Sequence, residues 1–351
     1  MDRRNVDIVI VRMDKIGDLV LSMAVDEHPA FLGRRVHWII SQGLGFIAAQ
    51  AVPQRQASEY HRRFSPFEMI RLVRWLKAQK PQTVVLLHNP WWVSMAAWLA
   101  GVPERMGRQS QWHSFLFVNL PIVQKRSSSD RHESDFNFDL VEWGFNRLGL
   151  RHTTGLSTIK KTYLRLVPPN PYATLAARGL KERGYRVVHP GMAGSALNWP
   201  IESFRALIER LAKDLPVVIT GTRMDQKFLQ GLESLRELPN VKWMVSDLKV
   251  MELLDILSGA RSVTAPSTGV LHLAASLGTP TLGIYSPRKV EHPRRWGPKG
   301  LNVGFLLPAV QEAEMFSPTV MGQISVDDAL QALCKLEDHG GPSRSQAHSV
   351  L

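Results

Sequence analysis

Short β-branched apolar runs alternate with amphipathic stretches through both halves of this chain, and that alternation constrains its fold more than any other feature. Val6 to Val11 ends at a Gly-Asp turn and is followed by Leu19 to Val25 at helical spacing, which predicts strand, loop and helix. Val36 to Ile40 predicts a second strand, Phe67 to Gln79 an amphipathic helix, and Thr83 to Leu87 a buried strand before a helix over Trp92 to Leu99. After Leu166 the alternation restarts, with strands expected over Arg186–His189, Pro216–Gly221, Val241–Val245, Ser262–Ala265 and Thr281–Tyr285. The helices between them are expected over Ile201–Leu211, Met224–Leu235, Met251–Leu257 and Ser267–Leu277. Alternating strands and helices imply parallel, doubly wound sheets.

The stretch LVPPNPY from Leu166 to Tyr172 can continue neither a helix nor a central strand, and marks a linker between two domains. The expected division is residues 1–168, residues 169–325, and a C-terminal helix with a disordered tail over 326–351, the tail starting near Gly340. Two such halves leave a cleft between them, where open sheets bind ligands beyond their strand ends. The fold class is α/β, with two Rossmann-like parallel-sheet domains.

Charge and cysteine content narrow the function. The net charge of +12 is uneven, with +9 carried by residues 1–165 and +3 by the rest, so the first half attracts polyanions. Nucleic acid is not an expected partner, because no zinc-finger spacing, RNP-like strand or basic heptad accompanies the charge. Cys334 is the only cysteine, which excludes an intrachain disulfide, a CxxC pair and a cysteine-based zinc site. It is expected to pack in a helix. No apolar stretch approaches the roughly 20 residues needed to cross a bilayer. A cytoplasmic location is expected, with peripheral contact at the inner face of the cytoplasmic membrane.

Three constellations could carry chemistry. In Asp14-Lys15-Ile16-Gly17-Asp18, Asp18 stands near a helix start, where N–H groups keep a carboxylate ionised and able to act as a base; an N-cap role would produce the same residue there. The loop from His189 to Pro200 contains Gly191, Gly194, Ser195, Asn198 and Trp199, and its backbone could face a phosphate, although a plain strand-to-helix connection would look similar. At Ser267-Thr268-Gly269 a strand ends at a turn that starts a helix, with His272 one turn further along the same face; a satisfied core histidine is the alternative. Lys15, Arg294 and Arg295 are candidate phosphate or acceptor contacts.

Taken in order, these segments resemble glycosyltransferase family 9, the lipopolysaccharide heptosyltransferase group with the GT-B fold. The resemblance rests on IVIVRMDKIGDLVLSMAV, VVLLHNPWWVSMAAWLAGVPERMGR, HESDFNFDLVEWGFNRLGL, HPGMAGSALNWPIESFRALIERL, APSTGVLHLAASLGTPTLGIYSP and RRWGP. It implies inverting, metal-independent transfer of heptose from ADP-heptose, held by the second domain, to a lipopolysaccharide core or related anionic glycolipid held by the first. No cofactor is implied beyond the ADP-sugar as co-substrate. The family's base falls on Asp18, and its donor-binding turn and histidine on Thr268, Gly269 and His272. Two positions depart from the pattern: Leu197 stands where well-known members carry a lysine, and Ser267 where they carry an aspartate. These departures keep open a weakened member that binds nucleotide-sugar or anionic glycolipid without efficient transfer; a nucleotide-sugar epimerase would share such a two-domain cleft.

Overall fold

A computed structural model describes residues 6–150, 162–192, 197–309, 317 and 319–339. The chain divides into two compact units, Met1–Leu166 and Val167–Leu351. Each is built around one six-stranded, all-parallel sheet.

The first unit contains strands β1 (Ile8–Arg12), β2 (Val36–Ser41), β3 (Ala51–Val52), β4 (Ala57–Tyr60), β5 (Thr83–Leu86), β6 (Glu104–Arg108), β7 (Leu120–Ile122) and β8 (Arg165–Leu166). Its main sheet has the order β4-β2-β1-β5-β6-β7. The chain therefore winds outward from β1 in one direction, then crosses to β5 and winds the other way, which makes the β1/β5 boundary the topological switch point. Both neighbours pair with β1 in parallel, Ile10 facing Trp38 on β2 and Val85 on β5. Every residue of β1 is buried, as expected for a strand covered on both faces. Val9 and Val11 pack with Leu72 and Leu76 of the helix Pro66–Gln79 and with Val93, Ala96 and Ala97 of the helix Trp91–Leu99. Helix Ile16–Met23 packs with helix Glu133–Arg147, where Asn137 Nδ2 donates to Ser22 Oγ at 2.9 Å.

The second unit contains β9 (Arg186–Val188), β10 (Val217–Gly221), β11 (Val241–Val245), β12 (Val263–Pro266), β13 (Thr281–Ile284) and β14 (Val303–Leu306). Its order is β11-β10-β9-β12-β13-β14, so the switch point lies between β9 and β12. Helix Ile201–Leu211 presents Phe204, Leu207, Ile208 and Leu211 to the core at the spacing of one helical face.

Several expectations need correction. Met224–Leu235 forms no α-helix; two 3₁₀ segments, Gln226–Phe228 and Gln230–Glu237, stand there instead. The Asp225 carboxylate accepts from Thr222 N at 2.9 Å and Thr222 Oγ1 at 2.6 Å, which fixes a turn where the helix would have begun. The helical stretch after β1 starts earlier, at Ile16, and gives way to a 3₁₀ turn over Ala24–Glu27. Of the proline-rich linker, Leu166 pairs antiparallel with Ala51, and Pro171 opens the helix Pro171–Ala177. Cys334 lies on the helix Val326–His339 but is exposed.

That C-terminal helix is part of the second unit's core, to which Ala329 and Leu333 contribute. Glu337 is buried and accepts from Arg186 Nε at 2.8 Å, Arg261 Nε at 2.7 Å and Ser262 Oγ at 2.6 Å. The segment from Gly340 onward lies outside the described residues.

Candidate functional site

Asp18 and Lys15 follow β1 at the first sheet's switch point, while Gly191 and the Ser267-Thr268-Gly269 turn follow β9 and β12 at the second's. In the first unit, Asp18 sits in the first turn of helix Ile16–Met23, with exposed Lys15 at the N-cap. Asp18 Oδ1 accepts from Arg12 Nη2 at 2.6 Å. Its Oδ2 has no hydrogen-bond partner among the described residues, and its side chain keeps 22% exposure.

Arg12, the last residue of β1, is buried among carboxylates. Its Nε lies 3.1 Å from Asp14 Oδ2, and its Nη1 3.2 Å from Glu133 Oε1. Burial alone would disfavour the guanidinium charge, but Asp18, Glu133 and Asp14 outweigh it and raise the pKa. Glu133 in turn accepts from Arg126 Nη1 at 2.6 Å. Burial raises the pKa of Asp14, opposed by Arg12.

Just past β5, at the other side of the switch point, His88 Nε2 approaches Asp14 Oδ1 at 3.3 Å. Burial, with Arg12 and Arg62 adding to it, pushes the His88 pKa down to about 4, so the ring is neutral near pH 7. His88 Nδ1 and both amide atoms of the Asn89 side chain are buried without a hydrogen-bond partner among the described residues. Unmet polar atoms beside a carboxylate at a switch point suit the hydroxyls of a ligand. Arg12, His88, Asn89, Arg126 and Glu133 were not singled out from sequence, and Asp14 was named only as part of the Asp14–Asp18 motif. The one available signal was an arginine closing an otherwise apolar buried strand, since a buried guanidinium requires partners.

In the second unit, the parallel pairing of β9 with β12 sets the Gly191 loop beside the Ser267-Thr268-Gly269 turn. Thr268 is the N-cap of the eight-residue helix Gly269–Ser276, in extended conformation, yet its side chain makes no cap bond. Its Oγ1 is buried without a hydrogen-bond partner among the described residues. Free helix-start N–H groups and an unused hydroxyl together form an anion-binding corner. His272 is buried one turn along this helix.

Just past β13, the Tyr285 hydroxyl donates to Trp296 O at 2.7 Å. This ties the Arg294–Arg295 turn to the end of β13. The Arg295 guanidinium stacks 4.5 Å from the centroid of the Trp296 ring, while Arg294 is exposed.

The residues of the His189 loop have separate roles. A side chain at Gly191 would collide with the Asp225 carboxylate, so the loop passes close to it. Asn198 Nδ2 donates to Pro190 O at 2.8 Å, pinning the two ends of the loop together. Trp199 is a core residue: its ring meets Phe204 edge-on, and its Nε1 donates to Ile324 O at 2.9 Å. Leu197 also packs partly against this core. Gly194 and Ser195 lie outside the described residues. His189, at the end of β9, bonds Thr220 Oγ1 through Nδ1 at 2.9 Å, and burial lowers its pKa to about 4. Among the described residues, no group of three or more His, Cys, Asp or Glu side chains is placed to hold a metal ion.

Known proteins carry the same architecture. A Haemophilus influenzae protein provisionally named a glycosyltransferase is 29% identical over 279 residues, 74% of this chain and 75% of that one. The crystal structure of a glycosyl transferase family 9 protein from Veillonella parvula superposes with a TM-score of 0.78 at 17% identity, covering 97% of this chain and 99% of that one. The ADP-heptose lps heptosyltransferase II of E. coli gives 0.75 at 16% identity, covering 95% and 99%. The two parallel-sheet units are thus those of the GT-B fold. The sequence model of glycosyltransferase family 9 (heptosyltransferase) matches residues 69–319. With most of its length covered by that model and both switch points furnished with polar groups, the chain belongs to glycosyltransferase family 9, the heptosyltransferase family.

Proposed function

We propose that this glycosyltransferase moves heptose from ADP-heptose to the lipopolysaccharide core or a related anionic glycolipid, with inversion at the sugar carbon. The observation that carries the reading is the state of Asp18: one carboxylate oxygen is held by Arg12, and the other has no hydrogen-bond partner among the described residues. Oδ2 is then the proton acceptor. An acceptor hydroxyl attacks the anomeric carbon as the bond to the diphosphate breaks, its proton passes to Asp18, and ADP departs. Arg12 fixes the angle of the carboxylate. Asn89 and His88 offer hydrogen bonds to the acceptor sugar through their unused polar atoms.

The donor diphosphate is assigned to the corner formed by Thr268 and the start of helix Gly269–Ser276, where the helix dipole favours negative charge. Gly191 lets the neighbouring loop pass close by, Ser267 and His272 are further candidate donor contacts, and Lys15, Arg294 and Arg295 are candidate phosphate or acceptor contacts. Transfer to a membrane-borne glycolipid would take place at the inner face of the cytoplasmic membrane.

One observation favours a second reading. Leu197 packs toward the core at the position where well-known members carry a lysine, so a chain that binds nucleotide-sugar with little transfer is the alternative. Incubating the protein with ADP-sugars and cell-envelope glycolipid fractions, then weighing the lipid products, separates the two. A product heavier by one heptose residue supports transfer. Nucleotide-dependent stabilisation with no product from any donor supports the binding reading.

A further inference from the structure

One helix of the first unit is inside out. In Trp112–Phe117 the buried positions are polar, His113 and Ser114, whereas Trp112, Phe115 and Leu116 are 63–65% exposed. Trp112, Phe115 and Leu116 are spaced i, i+3 and i+4, so they form one stripe pointing at solvent. The inward residues are held by polar contacts: His113 Nε2 bonds Asn89 O at 2.9 Å, and Ser114 Oγ accepts from Gln111 N at 3.2 Å. The inversion is therefore fixed by the fold.

The stripe continues onto the neighbouring helices. Helix Trp91–Leu99 exposes Trp91 and Trp98, two turns apart on one face; Trp91 lies 4.7 Å from Phe64 and Trp98 5.6 Å from Phe117, centroid to centroid. Helix Pro66–Gln79 packs on the other side of Trp91–Leu99 and exposes Phe67 and Ile70, then Arg74 and Lys77 further along the same face. Residues 61–117, which build these three helices, hold eight Lys and Arg against two Asp and Glu. That segment supplies most of the first unit's positive charge.

We propose that this aromatic and basic face docks on an anionic lipid bilayer, with Trp112, Phe115, Leu116 and Trp98 entering the headgroup boundary and Arg63, Arg74 and Lys77 meeting lipid phosphates. Charge complementarity selects this occupant. A second copy of the chain would bring one strongly basic face against another, whereas a bilayer surface rich in acidic lipid is attracted by each cation and accepts ring side chains at its interface. The proposal adds a specific face to the membrane-borne acceptor of the proposed function, and its test uses neither donor nor acceptor.

The full chain is floated with vesicles of phosphatidylcholine alone and of phosphatidylcholine mixed with phosphatidylglycerol, in low and high salt. The expected result is association with the acidic vesicles, weakened by salt. The combined exchange of Trp112, Phe115 and Leu116 for Ser should lower that partition by roughly tenfold or more, as should Arg74→Gln with Lys77→Gln, at about fivefold per charge. All five side chains are exposed, so the thermal midpoints should stay near that of the parent. Equal partition of parent and variants, or no association with acidic vesicles, overturns the proposal. So does a parent that dimerises in solution through this face, with dimerisation lost in the Ser variant. Failure of sugar transfer with intact vesicle binding would count against the enzymatic reading alone.

Discussion

Arg12 Nη2 holds Asp18 Oδ1 at 2.6 Å, and the same guanidinium reaches Asp14 and Glu133, so the candidate base is one of three carboxylates sharing one buried cation. That arrangement separates the chemical role of Asp18 from the structural role of Arg12, because two carboxylates still neutralise the arginine when the third is removed.

Asp18→Asn is therefore expected to fold like the parent and to lose roughly 10² to 10⁴ in transfer rate, the usual worth of a positioned base. The check is turnover of ADP-heptose with a glycolipid acceptor, beside a denaturant melt. Parent-like turnover would remove Asp18 from the mechanism.

Arg12→Met should act in the opposite order. It leaves Asp14, Asp18 and Glu133 without their shared cation, and breaking a buried ion pair by removing one partner typically costs about 3 to 5 kcal/mol. Arg126 still serves Glu133, which places the expected loss toward the lower end of that range. Urea unfolding measures it directly.

Thr268→Val tests the phosphate corner without disturbing the apo protein. The Oγ1 being replaced is buried without a hydrogen-bond partner among the described residues, so stability should be unchanged or slightly higher. Affinity for ADP should fall roughly ten- to a hundredfold, since a hydrogen bond to a charged group contributes about 1.5 to 3 kcal/mol. Calorimetric titration and a thermal melt on the same sample give both readings; a lower melting point with unchanged affinity would contradict the assignment.

Glu337→Ala should destabilise the second unit by about 3 kcal/mol, toward the lower end for a broken buried pair, because Ser262 loses its acceptor and Arg186 and Arg261 lose this carboxylate, while Arg186 keeps Asp214 at 3.0 Å. Deleting residues 326–339 should prevent the unit from folding at all, since Ala329 and Leu333 belong to its core. Circular dichroism of the deletion variant tests this.

Acid should destabilise the fold before the carboxylates titrate. His88 and His189 have folded pKa values of about 4 against an ordinary 6.5, so the unfolded chain binds protons first as pH falls. Stability is fully present above about 6.5 and declines toward pH 4, by at most about 1.4 kcal/mol per pH unit for each histidine. His88 contributes less than His189, because its side chain retains 30% exposure. Asp14 acts with the opposite sign: its raised pKa makes the folded state the better proton binder as pH drops below that value. Urea midpoints at pH 7.5 and pH 5 should differ, and replacing His189 should flatten the difference.

Strand and helix positions were legible wherever the pattern was local. β1, β5 and β10 are runs of buried Val, Ile and Leu, and helix Ile201–Leu211 shows its apolar face directly in its spacing. The segment after Gly221 was misread, because Met224–Leu235 has helical apolar spacing while the Asp225–Thr222 turn favours 3₁₀ geometry. Strands β4, β6, β7 and β14 were not anticipated: all are short and at most partly buried, Ala57–Tyr60 and Glu104–Arg108 carry charged residues, and Leu120–Ile122 and Val303–Leu306 are broken by Pro121 and Gly304.

The order of motifs, the break at LVPPNPY and the family were fixed by residues close together in the chain, where spacing, proline stereochemistry and turn chemistry act. The tertiary structure alone decided that Asp18 is gripped by Arg12, that Arg12 also meets Glu133 from 121 positions away, that Trp199 joins the core, and that Thr268 keeps an unused hydroxyl. The Arg12–Glu133 and Trp199 contacts depend on which elements become neighbours in a doubly wound sheet, and that adjacency is set by long-range packing against the cost of buried charge, which no local window of sequence contains.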